Sequence, residues 1–144
     1  MDDFDRWNEI KKKTSNEASR EPNRFPQKGE VWMSVYGKNI GFEQNGSGES
    51  FSRPVLVVTK FNNQMFLTVP LSTKQKDLDF YFNFTDPRNQ KVSAVLAQIK
   101  LLSIKRMKRK IYDLPSATLD EIHRKIQGFF INRNPAVKRG FSEP

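Results

Sequence analysis

The segment Pro54-Val-Leu-Val-Val-Thr59 constrains this chain more than any other. Four consecutive apolar residues, three of them β-branched, carry no amphipathic helical period and read as a buried strand. Phe61-Asn-Asn-Gln64 then reads as a hairpin turn. Met65 to Leu71 is the returning strand, with Pro70 marking a bulge or an edge near its end. If these two strands pair, the start of the first and the end of the second lie side by side. Arg53 and Ser72 are therefore expected at the same end of the hairpin.

The flanking sequence supplies more strands. From Glu30 onward, Val31, Met33 and Val35 alternate with Trp32, Ser34 and Tyr36. Across Asp79 to Thr85, Phe80, Phe82 and Phe84 alternate with Tyr81 and Asn83; Asp86-Pro-Arg-Asn89 is a turn, and Val92 to Ile99 a further strand. Gly37 to Ser52 holds four of the seven glycines and reads as a long flexible loop of the kind that carries function. Phe4, Trp7 and Ile10 predict a short amphipathic helix over about residues 2–13. Ser103 is placed to cap a short helix through the following basic run. Ser116 or Thr118 is placed to cap a last helix with Leu119, Ile122, Ile126, Phe129 and Phe130 on one face. About five strands, mostly antiparallel, followed by helical segments, predict an α+β, mainly β fold built on a small curled sheet or barrel.

Composition limits the chemistry. The 144 residues suit one domain and bury enough surface to need no covalent staple. The absence of cysteine excludes disulfides, thiolate zinc sites and a Cys nucleophile. A single histidine, His123, argues against a Ser-His-Asp triad or a multi-His metal site, and its place between Ile122 and Arg124 reads as helix surface. No apolar run can span a bilayer, and an N-terminus opening with Asp2, Asp3 and Asp5 is unlike a signal peptide, so a cytoplasmic protein is expected. The net charge of +9 is uneven: residues 1–28 and 29–99 each carry +1, and residues 100–144 carry +7. The dense run Lys100, Lys105, Arg106, Lys108, Arg109 and Lys110 is either an electrostatic footprint for phosphates or a solvated basic face.

Three local signals could carry chemistry: Gly41-Phe-Glu43-Gln44 in the glycine-rich loop, Arg53 before Pro54, and Pro70-Leu71-Ser72-Thr73-Lys74 at the end of the returning strand. A guanidinium and two hydroxyls beside a loop can hold a phosphate, Arg by a bidentate grip and the hydroxyls by donating to the remaining oxygens. Each piece also has a plainer reading: Arg53 as an ion-pairing strand residue, Ser72 and Thr73 as turn-closing hydroxyls, Glu43 as a solvated loop charge. Trp32, Tyr36 and Phe42 could stack on bases, but core packing is their default. Taken alone, these residues describe a basic domain suited to nucleic acid.

Together the segments carry more. Glu30-Val-Trp, Asn39-Ile-Gly41-Phe-Glu43-Gln44-Asn-Gly46, Arg53-Pro54-Val-Leu-Val57, Val69-Pro70-Leu71-Ser72-Thr73 and Val95-Leu-Ala97-Gln98-Ile99-Lys100, in this order, closely resemble the PemK/MazF family of toxin endoribonucleases. The resemblance spans about residues 28–131. It implies a small SH3-like antiparallel β-barrel of about five to seven strands with a C-terminal helix, here preceded by a short N-terminal helix. It further implies a homodimer, a cognate antitoxin, single-stranded RNA as substrate, and no metal or cofactor. By the match, Arg53 is the catalytic Arg, Ser72 stands where the family usually has a catalytic Thr with Thr73 beside it, and Glu43 matches a Glu implicated in activity. Gln98 matches an RNA-contacting Gln, and we expect Gln44, Lys74, Lys100, Lys105 and Arg106 on the same RNA path. The chain departs from the family in the order Ser72-Thr73 and in Ala97-Gln98-Ile99-Lys100, where the family has Ser-Gln-Ile-Arg. Residues 1–27 form an extension outside the family core, and 132–144 are expected to be a flexible tail.

The implied reaction is attack of the RNA's own 2′-OH on the adjacent phosphorus. Two rivals come from other classes. A CcdB-like toxin shares the barrel but poisons DNA gyrase by binding it, and does not require the Arg and hydroxyl pair. An RNA-binding relative with a decayed active site would fit the departures at Ser72-Thr73 and Ala97.

Overall fold

The computed structural model describes residues 2–16 and 24–131. It contains α1 (Asp3–Asn16), seven strands among the described residues, β1 (Glu30–Val35), β2 (Ser52–Lys60), β3 (Met65–Ser72), β4 (Tyr81–Thr85), β5 (Lys91–Val95), β6 (Lys100–Ser103) and β7 (Met107–Asp113), and α2 (Ser116–Phe130). Of the extension over residues 1–27, residues 1 and 17–23 lie outside the described residues, as does the tail expected at 132–144.

The predicted hairpin is the heart of the sheet. β2 and β3 run antiparallel with Val55 opposite Pro70 and Leu56 opposite Val69. β1 pairs with β2 on the other side, and β7 with β1, giving the order β4-β5-β3-β2-β1-β7. Every strand pair in this antiparallel sheet curls without closing; on the open side Arg88 in the β4–β5 turn stacks over Tyr112 of β7, 5.2 Å from its ring centre. Pro70 lies at neither a sheet edge nor a bulge. The outer side of β3 pairs with β6 as far as Thr68 and with β5 from Leu71, so Pro70 sits where the partner changes and a missing N–H is tolerated.

Strand alternation divides the core in two. Val55 and Val57 pack with Trp32, Tyr36, Phe66, Leu102 and Met107, whereas Leu56 and Val58 pack with Val31, Val69, Leu96 and, from α2, Leu119 and Ile122. Both faces of β2 are thus buried, which is why its apolar residues run without interruption. Thr68 is fully buried between these layers and donates its hydroxyl to the Lys100 carbonyl at 3.0 Å. Thr68→Val removes that bond while keeping the shape, and should lower unfolding free energy by about 1 kcal/mol in a urea titration.

Several sequence expectations are corrected. The basic run is not a helix: Ser103 accepts a hydrogen bond from the Lys105 N–H, but the cap opens only a single 3-10 turn, Ile104–Arg106, before β7 begins. The strand expected over Val92–Ile99 stops at Val95 and turns through a 3-10 segment, Leu96–Gln98. The last helix begins after Pro115 without a side-chain cap, and of its apolar face Leu119 and Ile122 are buried while Phe129 and Phe130 are exposed. His123 is not a bland surface residue. β2 has an irregularity between Val57 and Thr59, and the Val58 carbonyl freed there lies 2.7 Å from His123 Nε2, whose N–H can satisfy it.

α1 packs on its own domain. Asp2 accepts from the Asp5 N–H at 2.8 Å, and Asp3 and Asp5 place negative charge in the first turn, where the helix dipole favours it. Trp7 is its one buried residue. The indole lies against Gly37 and 5.8 Å from the Phe51 ring, and the Arg106 guanidinium stacks over it at 5.6 Å. Among the described residues no helix is long and apolar enough to cross a membrane.

Candidate active site

The β2–β3 register brings the start of one strand to the end of the other. Two residues beyond the Val55–Pro70 pair stand Arg53 and Ser72. They line one cavity of about 270 Å³ together with Thr73, Lys74, Arg88 and Tyr112. Arg53 is half-buried. Its Nε–H donates to the Asn45 carbonyl and an NH1 hydrogen to the Leu71 carbonyl at 2.8 Å. These two bonds fix the planar group and leave three of its five N–H donors to face a ligand. Burial holds the Arg53 guanidinium below the usual arginine range. The Ser72 hydroxyl accepts from the Lys74 N–H at 3.1 Å, so its own proton is free to be donated.

The glycine-rich loop, expected to be flexible, is tied together by its own polar groups. Gly46 N–H donates to the Gly37 carbonyl at 2.6 Å, Tyr36 and Gly37 both donate to the Phe51 carbonyl, and the Asn39 side chain donates to the Gln44 carbonyl. Phe51 sits at φ 51°, a left-handed conformation that a non-glycine residue adopts at a cost. The loop is bound to the sheet by Gln98: its Oε1 accepts from the Gln44 N–H at 2.6 Å and its Nε2 donates to the Phe42 carbonyl at 2.9 Å.

The remaining sequence candidates fall in two other places. Glu43, Gln44, Gln98 and Lys100 line a neighbouring groove of about 480 Å³, with Tyr36 at its floor. Glu43 is exposed and accepts from the Ile40 N–H at 3.1 Å. Lys100 stacks over the Tyr36 ring at 4.8 Å, and burial together with the nearby Arg106 charge lowers its pKa. Lys105 and Arg106 lie apart, under α1: Lys105 donates to the Ser15 carbonyl, and Arg106 to the carbonyls of Val35 and Tyr36. Of the aromatic candidates, Trp32 and Tyr36 are core residues and Phe42 is fully exposed at the loop tip.

Two tyrosines at the site take places that the sequence did not assign them. Tyr36 links cavity and groove electrostatically: burial raises its pKa, while its hydroxyl feels the positive charge of Arg53 and the negative charge of Glu43. Tyr112 lines the Arg53 cavity with a buried hydroxyl that has no hydrogen-bond partner among the described residues, and burial pushes its pKa up to about 12. In the sequence Tyr36 reads as a core aromatic or a base-stacking candidate and Tyr112 as one more aromatic, so no pattern marked either as a neighbour of Arg53.

Comparison with known proteins agrees with this architecture. Residues 27–130 match the family described as PemK-like, MazF-like toxin of type II toxin-antitoxin system. Among curated protein sequences none matches the chain. Among solved structures, MazF of Deinococcus radiodurans superposes with a TM-score of 0.64 at 18% identity, over 75% of this chain and 98% of that one. The MazE-MazF complex of the same organism gives 0.58 at 16% identity, over 75% and 97%. A mycobacterial endoribonuclease in complex with its cognate antitoxin gives 0.52 at 15% identity, over 83% and 99%. At such identities the structural likeness shows the fold alone, whereas the family match covers most of the sequence: the chain belongs to the PemK-like, MazF-like toxins of type II toxin-antitoxin systems.

Proposed function

We propose that this chain is a metal-independent endoribonuclease that cleaves single-stranded RNA at a short sequence motif and so arrests translation. The observation that carries this reading is the cavity at the ends of β2 and β3, where Arg53 keeps free donors beside the Ser72 hydroxyl and Lys74. Donors held in place by the protein, and aimed where a phosphorane develops charge, are what phosphodiester cleavage needs.

In this mechanism the 2′-oxygen bonds to phosphorus, the bond from phosphorus to the 5′-oxygen breaks, and the products carry a 2′,3′-cyclic phosphate and a 5′-OH. Arg53 stabilises the charge on the non-bridging oxygens and supplies the proton to the leaving oxygen, a role eased by its lowered pKa. Ser72, with Thr73, donates to the same oxygens. Glu43 is the carboxylate assigned to take the 2′-OH proton, reaching the strand from the adjoining groove. Gln44, Gln98, Lys100 and Lys74 guide the RNA across that groove to the cavity. The protein works as a homodimer in the cytoplasm, and a cognate antitoxin silences it, as the complexed relatives suggest.

A long mixed-sequence RNA incubated with the purified protein in EDTA should be cut at discrete positions leaving 5′-OH ends. An RNA carrying a 2′-deoxy or 2′-O-methyl sugar at the mapped position should stay whole. Cleavage of that RNA would overturn the 2′-OH mechanism. Binding without cuts would indicate a decayed site. Gyrase inhibition without RNA cleavage would indicate the CcdB-like alternative.

A further inference from the structure

α1 lies outside the family-matched residues 27–130, yet it forms one wall of a second basic cleft of about 230 Å³. The cleft is lined by Lys11, Thr14 and Ser15 from α1 and by Ser103, Lys105 and Arg106 from the end of β6 and the turn that follows, with Trp7 at its base. Three cations and three hydroxyls line it and, among the described residues, no carboxylate does. Among the described residues no acidic side chain lies within ion-pair distance of Lys11, Lys100, Lys105 or Arg106.

The groups are arranged as donors. Ser103 accepts from the Lys105 N–H at 3.1 Å, leaving its own proton to give. Lys105 uses one of its three N–H donors on the Ser15 carbonyl at 2.8 Å. Arg106 is held from two sides, by its bonds to the Val35 and Tyr36 carbonyls and by stacking on Trp7, so its plane is fixed without an anion. Lys11 is exposed and has no hydrogen-bond partner among the described residues. The cleft also adjoins the proposed RNA groove: Arg106, which lines the cleft, donates to the carbonyl of Tyr36, which lines the groove, and Lys100 in the groove feels the positive charges of both Lys11 and Arg106.

We infer that the cleft between α1 and the turn Ile104–Arg106 is an accessory phosphate subsite that holds a backbone phosphodiester of the RNA strand flanking the cleaved segment. Lys11 and Lys105 supply charge, and Thr14, Ser15 and Ser103 supply hydroxyl donors. Its role is grip rather than chemistry. This rests on the ribonuclease reading above, and it makes the N-terminal helix part of the RNA-binding surface.

The test uses the full chain and an uncleavable 2′-O-methyl 20-mer of mixed sequence, with affinity measured across a KCl series. Losing one phosphate contact on a single strand lowers the slope of log K against log salt by about 0.7, which is about a fivefold loss at 0.1 M. Lys11→Gln should show that loss, Lys11→Arg should restore the wild-type value, and both should cut unmodified RNA at unchanged positions. Lys11 is exposed and has no hydrogen-bond partner among the described residues, so neither substitution threatens the fold. Wild-type affinity and slope in Lys11→Gln would overturn the subsite while leaving the ribonuclease reading intact. The same holds if Lys11→Gln leaves RNA binding untouched and weakens only binding of an acidic antitoxin peptide. Failure of the unaltered protein to bind or cut RNA would instead overturn the reading on which the subsite rests.

Discussion

Arg53→Ala should reduce RNA cleavage by at least about 10²-fold, the loss seen when one preorganised donor to a developing oxyanion is removed. Melting should still be cooperative, because Arg53 belongs to neither core and its lost bonds, to the carbonyls of Asn45 and Leu71, lie at the cavity. Arg53→Lys separates charge from geometry. An ammonium keeps the charge but cannot hold Asn45 and Leu71 while presenting a flat fork to phosphate, so it should recover only a minor part of the rate. Single-turnover assays with a fixed RNA, beside thermal melts of each variant, decide the matter. Near wild-type cleavage by Arg53→Ala in folded protein would remove Arg53 from the mechanism.

The position of Arg53 was readable from sequence because the hairpin was. A β-branched apolar run, a polar turn and a second apolar run leave one antiparallel pairing, and that pairing sets Arg53 near Ser72. The basic run was misread for the opposite reason. Met107 and Tyr112 of β7 are buried in different cores, five residues apart in a strand whose pairing with β1 slips twice, so Lys108, Arg109 and Lys110 between them leave no alternation to read. Those cations then do different jobs: Lys110 pairs with buried Glu30 at 3.1 Å, Lys108 donates to Ser50 and Ser52, and Arg106 braces the carbonyls of β1's end. A charge count cannot separate a cation that meets solvent from one that caps backbone. His123 was lost in the same way. Its partner is a carbonyl released by an irregularity 65 residues earlier, and no local pattern announces an irregularity in β2. Tyr36 was legible as a strand aromatic, but its nearness to Arg53 and the loop, and the place of Tyr112 in the Arg53 cavity, follow only from the curl of the sheet.

The loop gives the other large effect. A methyl group added at Gly46 would fall 1.7 Å from the Phe51 carbonyl oxygen and 2.1 Å from its carbon, both backbone atoms that cannot turn aside. Gly46→Ala must therefore reshape residues 37–51. The Gly46–Gly37 bond, the Asn45 carbonyl that holds Arg53 and the Gln44 bond to Gln98 all lie within one or two residues of the clash. A shift of about 1 Å in a reacting group can cost about 10²-fold in rate. Gly46→Ala should thus approach the defect of Arg53→Ala although it removes no charge and no donor. Gly48→Ala is the matched control. Its φ of +75° strains an alanine, at roughly 1 kcal/mol, but the added methyl meets nothing within 4 Å. It should retain most of the activity. Backbone amide shifts in Gly46→Ala should be largest at residues 37–53 and 97–100, with β2 and β3 beyond Val55 little changed. Full activity in Gly46→Ala would mean that Arg53 is aimed by the sheet alone. Equal losses in both glycine variants would mean that backbone strain, and not the lost grip on Arg53, sets the rate.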